Sequence, residues 1–355
     1  MQQKVVVLDV DPRLLPDGYI FTEDCRKTSP GMGIFYHLNI LLQKAGIQTI
    51  TATTYLSDTT AYQNYNCYLV SDMQTPNTDQ LLAIGVRPAI LYSLESPNVA
   101  VYFYANLKKL SAKYSYTFLF EGFRRFTNPA TQFRALHWPN VPVPLPDLTD
   151  WENRGFLTMV AANKHKYTAG SLQAKLYTYY LKHKNAYPHN HDLYQKRLQA
   201  ILYFSRNPGF RLYGTGWHEQ NNLPDLYFNA AQKAGATPVT DKLETLNKFK
   251  YSLCFENCSY PSYITEKVFD CFFSGTIPVY LGAPDITAYI PANCFIDFRN
   301  FNDFRELEVH LQELTTQQAY DYLSAARAFL ESDAFTTFTE ENVAARFAAA
   351  LLDVR

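Results

Sequence analysis

The chain predicts two α/β domains, each a parallel sheet covered by helices. Three observations lead there. Short β-branched runs alternate with helical stretches through the first third. A window with four prolines, "HWPNVPVPLPDLTDW" from His137 to Trp151, then breaks the pattern, and it can continue neither a helix nor a central strand. Past it, from Gly155, the alternation resumes as a second βαβ series. The expected organisation is a first domain at 1–140, a linker at 141–154, a second domain at 155–330 and a helical tail at 331–355. Two such domains on a stiff linker make a cleft, and ligands in open α/β sheets sit at strand carboxyl ends beside helix N-termini.

The elements follow in order. "KVVVLDV" (Lys4–Val10) is a buried strand by its valines. "PGMGIFYHLNILLQKAGIQ" is a glycine-bearing turn feeding an amphipathic helix. Phe35, Leu38, Leu41, Leu42 and Ala45 recur at helical spacing, and Gly46 ends it. "CYLVSDM", "PAILYSLE" (Pro88–Glu95) and "YTFLFEGF" (Tyr116–Phe123) are further strands. In the second half, "GFLTMVAA" is a strand, and a Tyr- and Lys-rich helical stretch covers about 171–205. "GFRLYGTGW" is a strand ending in a glycine turn, and "YSLCFEN", "TIPVYLG" and "CFIDF" are strands around the helix "TEKVFDCFFSG". The tail is helical by its apolar spacing.

Composition narrows the function. Of 355 residues, 47% are hydrophobic and 18% charged, which describes a globular chain. A net charge of −1 gives no basic stripe and argues against a nucleic-acid partner. The lysines at 108–109 and 182–184 read as solvated helix faces. No run is long and apolar enough to span a bilayer. The expectation is a soluble chain in the cytoplasm or at the inner face of a membrane, with at most peripheral membrane association. Six cysteines, none in a CxxC pair, are expected to be reduced thiols. "PHNH" (Pro188–His191) reads as a polar loop, since no carboxylate or cysteine pattern accompanies its histidines.

One turn concentrates chemistry: "CFENCSYPSYITEK", residues 254–267. The strand should end near Asn257, and Thr265 is positioned to N-cap the next helix, which should end near Ser274–Gly275. Glu266 and Lys267 then fall in its first turn, where amides are free and the dipole favours an anion. A cation there opposes the helix by about 0.3–1 kcal/mol unless it faces a bound phosphate. Glu266 can accept from two sugar hydroxyls, and Asn257 and Tyr263 add polar contacts. Singly, these residues are ordinary at a strand end or helix start. Together with Glu256 they suit a ligand carrying both a sugar and a diphosphate.

The stretch from Leu253 to Phe301 resembles the α-1,3-fucosyltransferase family: an F-E-N turn, an aromatic before T-E-K, a G-x-x-P-V-x-x-G strand, and a C-F-I-D strand closing on Phe. "LESPN" (Leu94–Asn98) resembles that family's E-S-P segment. "ANKHK", "YQKRLQAILYFS" and "YGTG" resemble its asparagine, its helix-borne arginine and its glycine turn, with Ala162 where the family has serine.

The resemblance implies a GT-B fold, two Rossmann-like domains facing across a cleft, with GDP-L-fucose as donor and a glycan as acceptor. It implies an inverting transfer, a Lewis-type product, no obligatory cofactor, and at most a non-essential stimulation by divalent metal. No metal ligand is assigned. Glu95 is the implied general base. Arg197 would hold the diphosphate in a bidentate grip with Lys267 beside it, and Arg206 and Arg211 are the alternatives to Arg197. Glu266 and Tyr263 would bind donor hydroxyls, and Asn257 would orient the fucose or a phosphate. Gly214 and Gly216 would let the backbone approach the nucleotide. Asn163, Thr265 and Glu256 complete the donor side. Acceptor choice falls to loops near 25–35 and 121–137, with Tyr36, Phe123 and Trp138 as conceivable sugar platforms. Two other functions fit the same pattern: a transferase for another GDP-sugar, and a non-catalytic glycan- or nucleotide-binding protein.

Overall fold

The computed structural model describes residues 3–10, 13, 16–29, 31–73, 75–148, 150–163, 192–219 and 223–354. The Pro188–His191 loop and the lysines at 182–184 lie outside these. Two compact units emerge, one formed by Met1–Val141 with Thr336–Arg355, the other by Pro142–Phe335.

The first unit holds six parallel strands: β1 Lys4–Asp9, β2 Gln48–Thr51, β3 Asn66–Asp72, β4 Arg87–Tyr92, β5 Tyr116–Leu119 and β6 Gln132–Ala135, in the order β2-β1-β3-β4-β5-β6. Val5, Val6, Val7 and Leu8 are wholly buried, as β1 pairs on both sides with β2 and β3. The edge strands β2 and β6 escape the apolar-run reading because each carries four residues with a polar or exposed side. The segment read as a strand through Phe123 ends at Leu119, and Glu121–Phe126 turns as 3₁₀ helix. The helix Gly33–Lys44 buries Ile34, Phe35, Leu38 and Leu42 and stops at Gly46, whose φ of 73° lies in the left-handed region.

The tail is not a separate piece. From Thr336 it belongs to the first unit. The helix Glu340–Asp353, capped by Thr339, buries Val343, Phe347 and Leu351 at four-residue spacing. Phe347 packs on Tyr92 and Phe118 at 5.5 and 4.6 Å. Lys4 Nζ closes the far end by donating to the carbonyls of Leu351 and Val354.

The second unit holds five parallel strands: β7 Gly155–Val160, β8 Phe210–Tyr213, β9 Phe249–Phe255, β10 Ile277–Leu281 and β11 Ile296–Asp297, in the order β11-β10-β9-β7-β8. The winding reverses between β7 and β9, so the doubly wound switch point lies at the carboxyl ends of those two strands. The proline window from Pro142 is part of this unit rather than a free linker. Arg327 donates to the Pro146 carbonyl at 3.0 Å and Tyr320 to that of Leu148 at 3.3 Å, both from the helix Thr316–Leu330. No helix among the described residues is long and apolar enough to cross a membrane.

Candidate active site

The carboxyl end of β9 leads straight into Glu256 and Asn257, and the helix Glu266–Ser274 starts nine residues later. Glu256 is completely buried. It accepts from the Thr265 backbone N–H at 2.8 Å and from Lys267 Nζ at 3.0 Å, and the Thr265 hydroxyl lies within 3.0 Å of both carboxylate oxygens. A buried carboxylate survives only when paired this fully. Glu256, expected on the donor side, thus holds the turn through Thr265 and Lys267. Thr265 sits at the N-cap position with extended backbone, but its side chain makes no capping bond. Its hydroxyl instead accepts from Lys267 at 2.8 Å. Thr265 thus leaves the first-turn amides uncapped, and the Glu266 carboxylate accepts from its own backbone N–H. At the other end, Gly275 closes the helix at φ 64°, as its position in the sequence predicts.

Lys267 is no bare cation, since Glu256 lies at 3.0 Å and Glu266 at 3.5 Å. Glu266 remains a quarter exposed. Burial pushes its carboxyl up, but Lys267 and Lys242 outweigh that and hold it down at about 2. Lys242 was not signalled by the motif. It stands at the start of the helix Lys242–Asn247, pairs with Asp270, and lies 3.5 Å from Glu266. Burial works against its charge, yet Asp270 and Glu266 raise it above the ordinary lysine range. Asp270 is itself raised, by burial first. The signal for Lys242 was present: Glu266 and Asp270 at i and i+4 place two carboxylates on one helix face, which calls for a cation.

Of the three candidate arginines, Arg197 is the one that contacts the end of β9. On the helix Tyr194–Phe204, its Nε and Nη2 both donate to the Phe255 carbonyl at the end of β9, and Nη2 also reaches Asn257 Oδ1 at 2.9 Å. Its remaining nitrogen, Nη1, has no partner among the described residues. Arg206 instead lies over Tyr203, and Arg211 donates to the carbonyls of Pro208 and Phe210. Beside this helix, Asp192 pairs with Cys258 as a β-bridge, and burial raises its carboxyl.

The glycine turn after β8 packs on the chain itself. A Cβ on Gly214, whose φ is 134°, would sit 2.0 Å from the Ala161 carbonyl oxygen. Gly216 lies against Asn163, whose side-chain amide donates to the Gly216 carbonyl at 2.9 Å. These glycines, expected beside the nucleotide, permit a close approach between the ends of β7 and β8. Tyr263, expected to bind donor hydroxyls, is 2% exposed and packs in the core of the turn.

In the first unit, Glu95 follows the carboxyl end of β4. Its N–H is held by Ser93 Oγ and its carbonyl by Tyr104 Oη. Its half-buried carboxylate has no partner among the described residues. Of the aromatic platforms, Phe123 is buried against Tyr104, while Tyr36 and Trp138 stay partly exposed.

Residues 175–343 match the model of the C-terminal part of glycosyltransferase family 10 (fucosyltransferase). Over 80 residues the chain is 36% identical to the α-(1,3)-fucosyltransferase FucT of Helicobacter pylori, a stretch covering 22% of this chain and 17% of that protein. Over another 80-residue match it is 40% identical to 4-galactosyl-N-acetylglucosaminide 3-α-L-fucosyltransferase 9 of Bos taurus, covering 21% of this chain and 22% of that one. The matched stretch thus spans about a fifth of those relatives' length. Among solved structures, HepE of Anabaena in complex with UDP-glucose superposes with a TM-score of 0.56 at 13% identity, over 99% of this chain and 100% of that one, which shows the shared two-domain GT-B fold. Over residues 175–343 the chain is thus similar to the C-terminal part of glycosyltransferase family 10, the fucosyltransferases.

Proposed function

We propose that the chain is an inverting α-1,3-fucosyltransferase that moves L-fucose from GDP-β-L-fucose to a hydroxyl of GlcNAc or glucose in a lacto-type glycan. The carrying observation is that the family match covers the cluster Arg197, Asn257, Glu266 and Lys267 at the switch point of the second sheet. That cluster offers cations, uncapped helix amides and an ionised carboxylate within one turn, as a sugar diphosphate requires.

In this reading the diphosphate takes the free Nη1 of Arg197, the ammonium of Lys267 and the first-turn amides, while Glu266 accepts from fucose hydroxyls. Glu95 takes the proton of the acceptor hydroxyl as its oxygen attacks the anomeric carbon. The carbon–oxygen bond to GDP breaks in the same step, and the anomeric centre inverts from β to α. The positive side chains neutralise the leaving diphosphate, so divalent metal acts at most as a stimulant. We place the enzyme in the cytoplasm, a reducing compartment in which its six buried cysteines stay as thiols.

Mass spectrometry of products from GDP-fucose with lactose, LacNAc and type-1 acceptors tests the reading, with GDP-mannose as the competing donor. A mass gain of one deoxyhexose, with the linkage assigned at O3, is expected. Transfer from GDP-mannose alone, or GDP binding without transfer to any acceptor, would replace it with one of the two other functions.

A further inference from the structure

The donor site in the reading above relies on Glu266, and one residue outside the family motif touches it. Lys242 opens a short helix, Lys242–Asn247, N-capped by Asp241. That helix lies beside Glu266–Ser274 and is fastened to its far end. Asn247 Nδ2 donates to the Ser274 carbonyl at 2.9 Å, and Thr276 Oγ1 to the Leu246 carbonyl at 2.7 Å. The near end is fastened by Lys242, paired with Asp270 and 3.5 Å from Glu266 Oε1.

We propose that Lys242 is a positioning residue for fucosyl transfer: anchored on Asp270, its ammonium fixes the Glu266 carboxylate in the orientation that receives the sugar hydroxyls of the donor. The inference rests on the fucosyl-donor reading. Among the described residues, the charged groups around Glu266 are Lys242 from the adjoining helix, Lys267 and Asp270 from its own helix, and Glu256 from the end of β9 behind Lys267. Glu266 is therefore held between two cations, and the motif supplies only one of them. Without Lys242, burial acts on Glu266 against a single cation, and its protonation moves into a milder pH range. GDP lacks the fucosyl hydroxyls that Glu266 would hold, so the loss should fall on GDP-fucose and spare GDP.

The test is donor-saturation kinetics against pH for wild type, K242M, K242Q and K242R, with GDP binding measured calorimetrically. K242M and K242Q should raise KM for GDP-fucose about tenfold. They should move the acid limb of kcat/KM up by about one pH unit or more, and leave the Kd for GDP within about twofold. K242R should restore both. In an E266Q background, K242M should add nothing. An unmoved acid limb, equal weakening of GDP and GDP-fucose, or failure of both neutral variants to fold would overturn the proposal. If the wild type turns over no GDP-fucose, the donor reading itself falls. Lys242 is then judged by the carboxyl titration of Glu266 in carbon-detected NMR, where an unchanged midpoint in K242M refutes it.

Discussion

Lys267 Nζ lies 3.0 Å from Glu256 Oε2, and that carboxylate is entirely shielded from water. The pair ties the end of β9 to the first turn of the helix Glu266–Ser274. Removing one partner of a buried pair leaves the other uncompensated, at a cost of about 3–5 kcal/mol. Glu256→Ala should destabilise the second unit by that order, read as a lower urea midpoint. Glu256→Gln keeps the shape and two acceptor contacts and should lose clearly less. Equal losses in the two variants would mean that shape rather than charge decides.

Arg197 uses two nitrogens on one carbonyl and a third contact on Asn257, a planar fork that lysine cannot reproduce. Arg197→Lys should fold but weaken GDP binding by about 10–100-fold, the size of one or two charge-assisted hydrogen bonds. Calorimetric titration with GDP reads this directly. Arg206→Lys, over the Tyr203 ring, should leave it unchanged.

Gly214 combines a φ of 134° with a neighbouring carbonyl 2.0 Å from where a Cβ would stand. Gly214→Ala should cost about 3 kcal/mol or more, because both backbone strain and the clash with Ala161 must be relieved. Gly46 also has positive φ, but nothing lies within 4 Å of its Cβ position. Gly46→Ala should therefore cost only the conformational part, about 1 kcal/mol. Thermal melts of the two variants make the comparison.

Glu266 sets a pH dependence. Its ordinary value is 4.5 and it is held at about 2, so its folded value lies below its unfolded one. The stability it lends is in full above its unfolded value and is lost as pH falls from about 5 toward about 2. Asp270 is shifted the other way and partly offsets this. The urea midpoint of Glu266→Gln should therefore vary less with pH between about 5 and about 3 than that of wild type. An unchanged slope would remove Glu266 from the ledger of acid stability.

Glu95 has a half-buried carboxylate with no partner among the described residues, and the proposed reading makes it the general base. Glu95→Gln should cut kcat for fucosyl transfer by about 10²–10⁴-fold while GDP affinity stays nearly intact. Retention of more than about a tenth of the activity would show that another group is the base.

Local grammar was legible in the sequence. The valines of β1 read as a buried strand, Gly275 as a helix stop, and Thr265 as the residue before a helix, because each depends on neighbours within a few positions. The E-N turn and the T-E-K helix start were likewise visible as one cluster. Pairing across the chain was not. That Glu256 would be buried under Thr265 and Lys267, that Lys242 would come from twenty-four residues away to meet Glu266, and that Arg197 rather than Arg206 or Arg211 would reach β9 are matters of which elements lie side by side. The tail gave the same lesson, since its apolar stripe predicted a helix but not the sheet it covers. Periodicity records that a face must leave water, and burial is non-directional, so the surface that receives the face is chosen only when the whole chain packs.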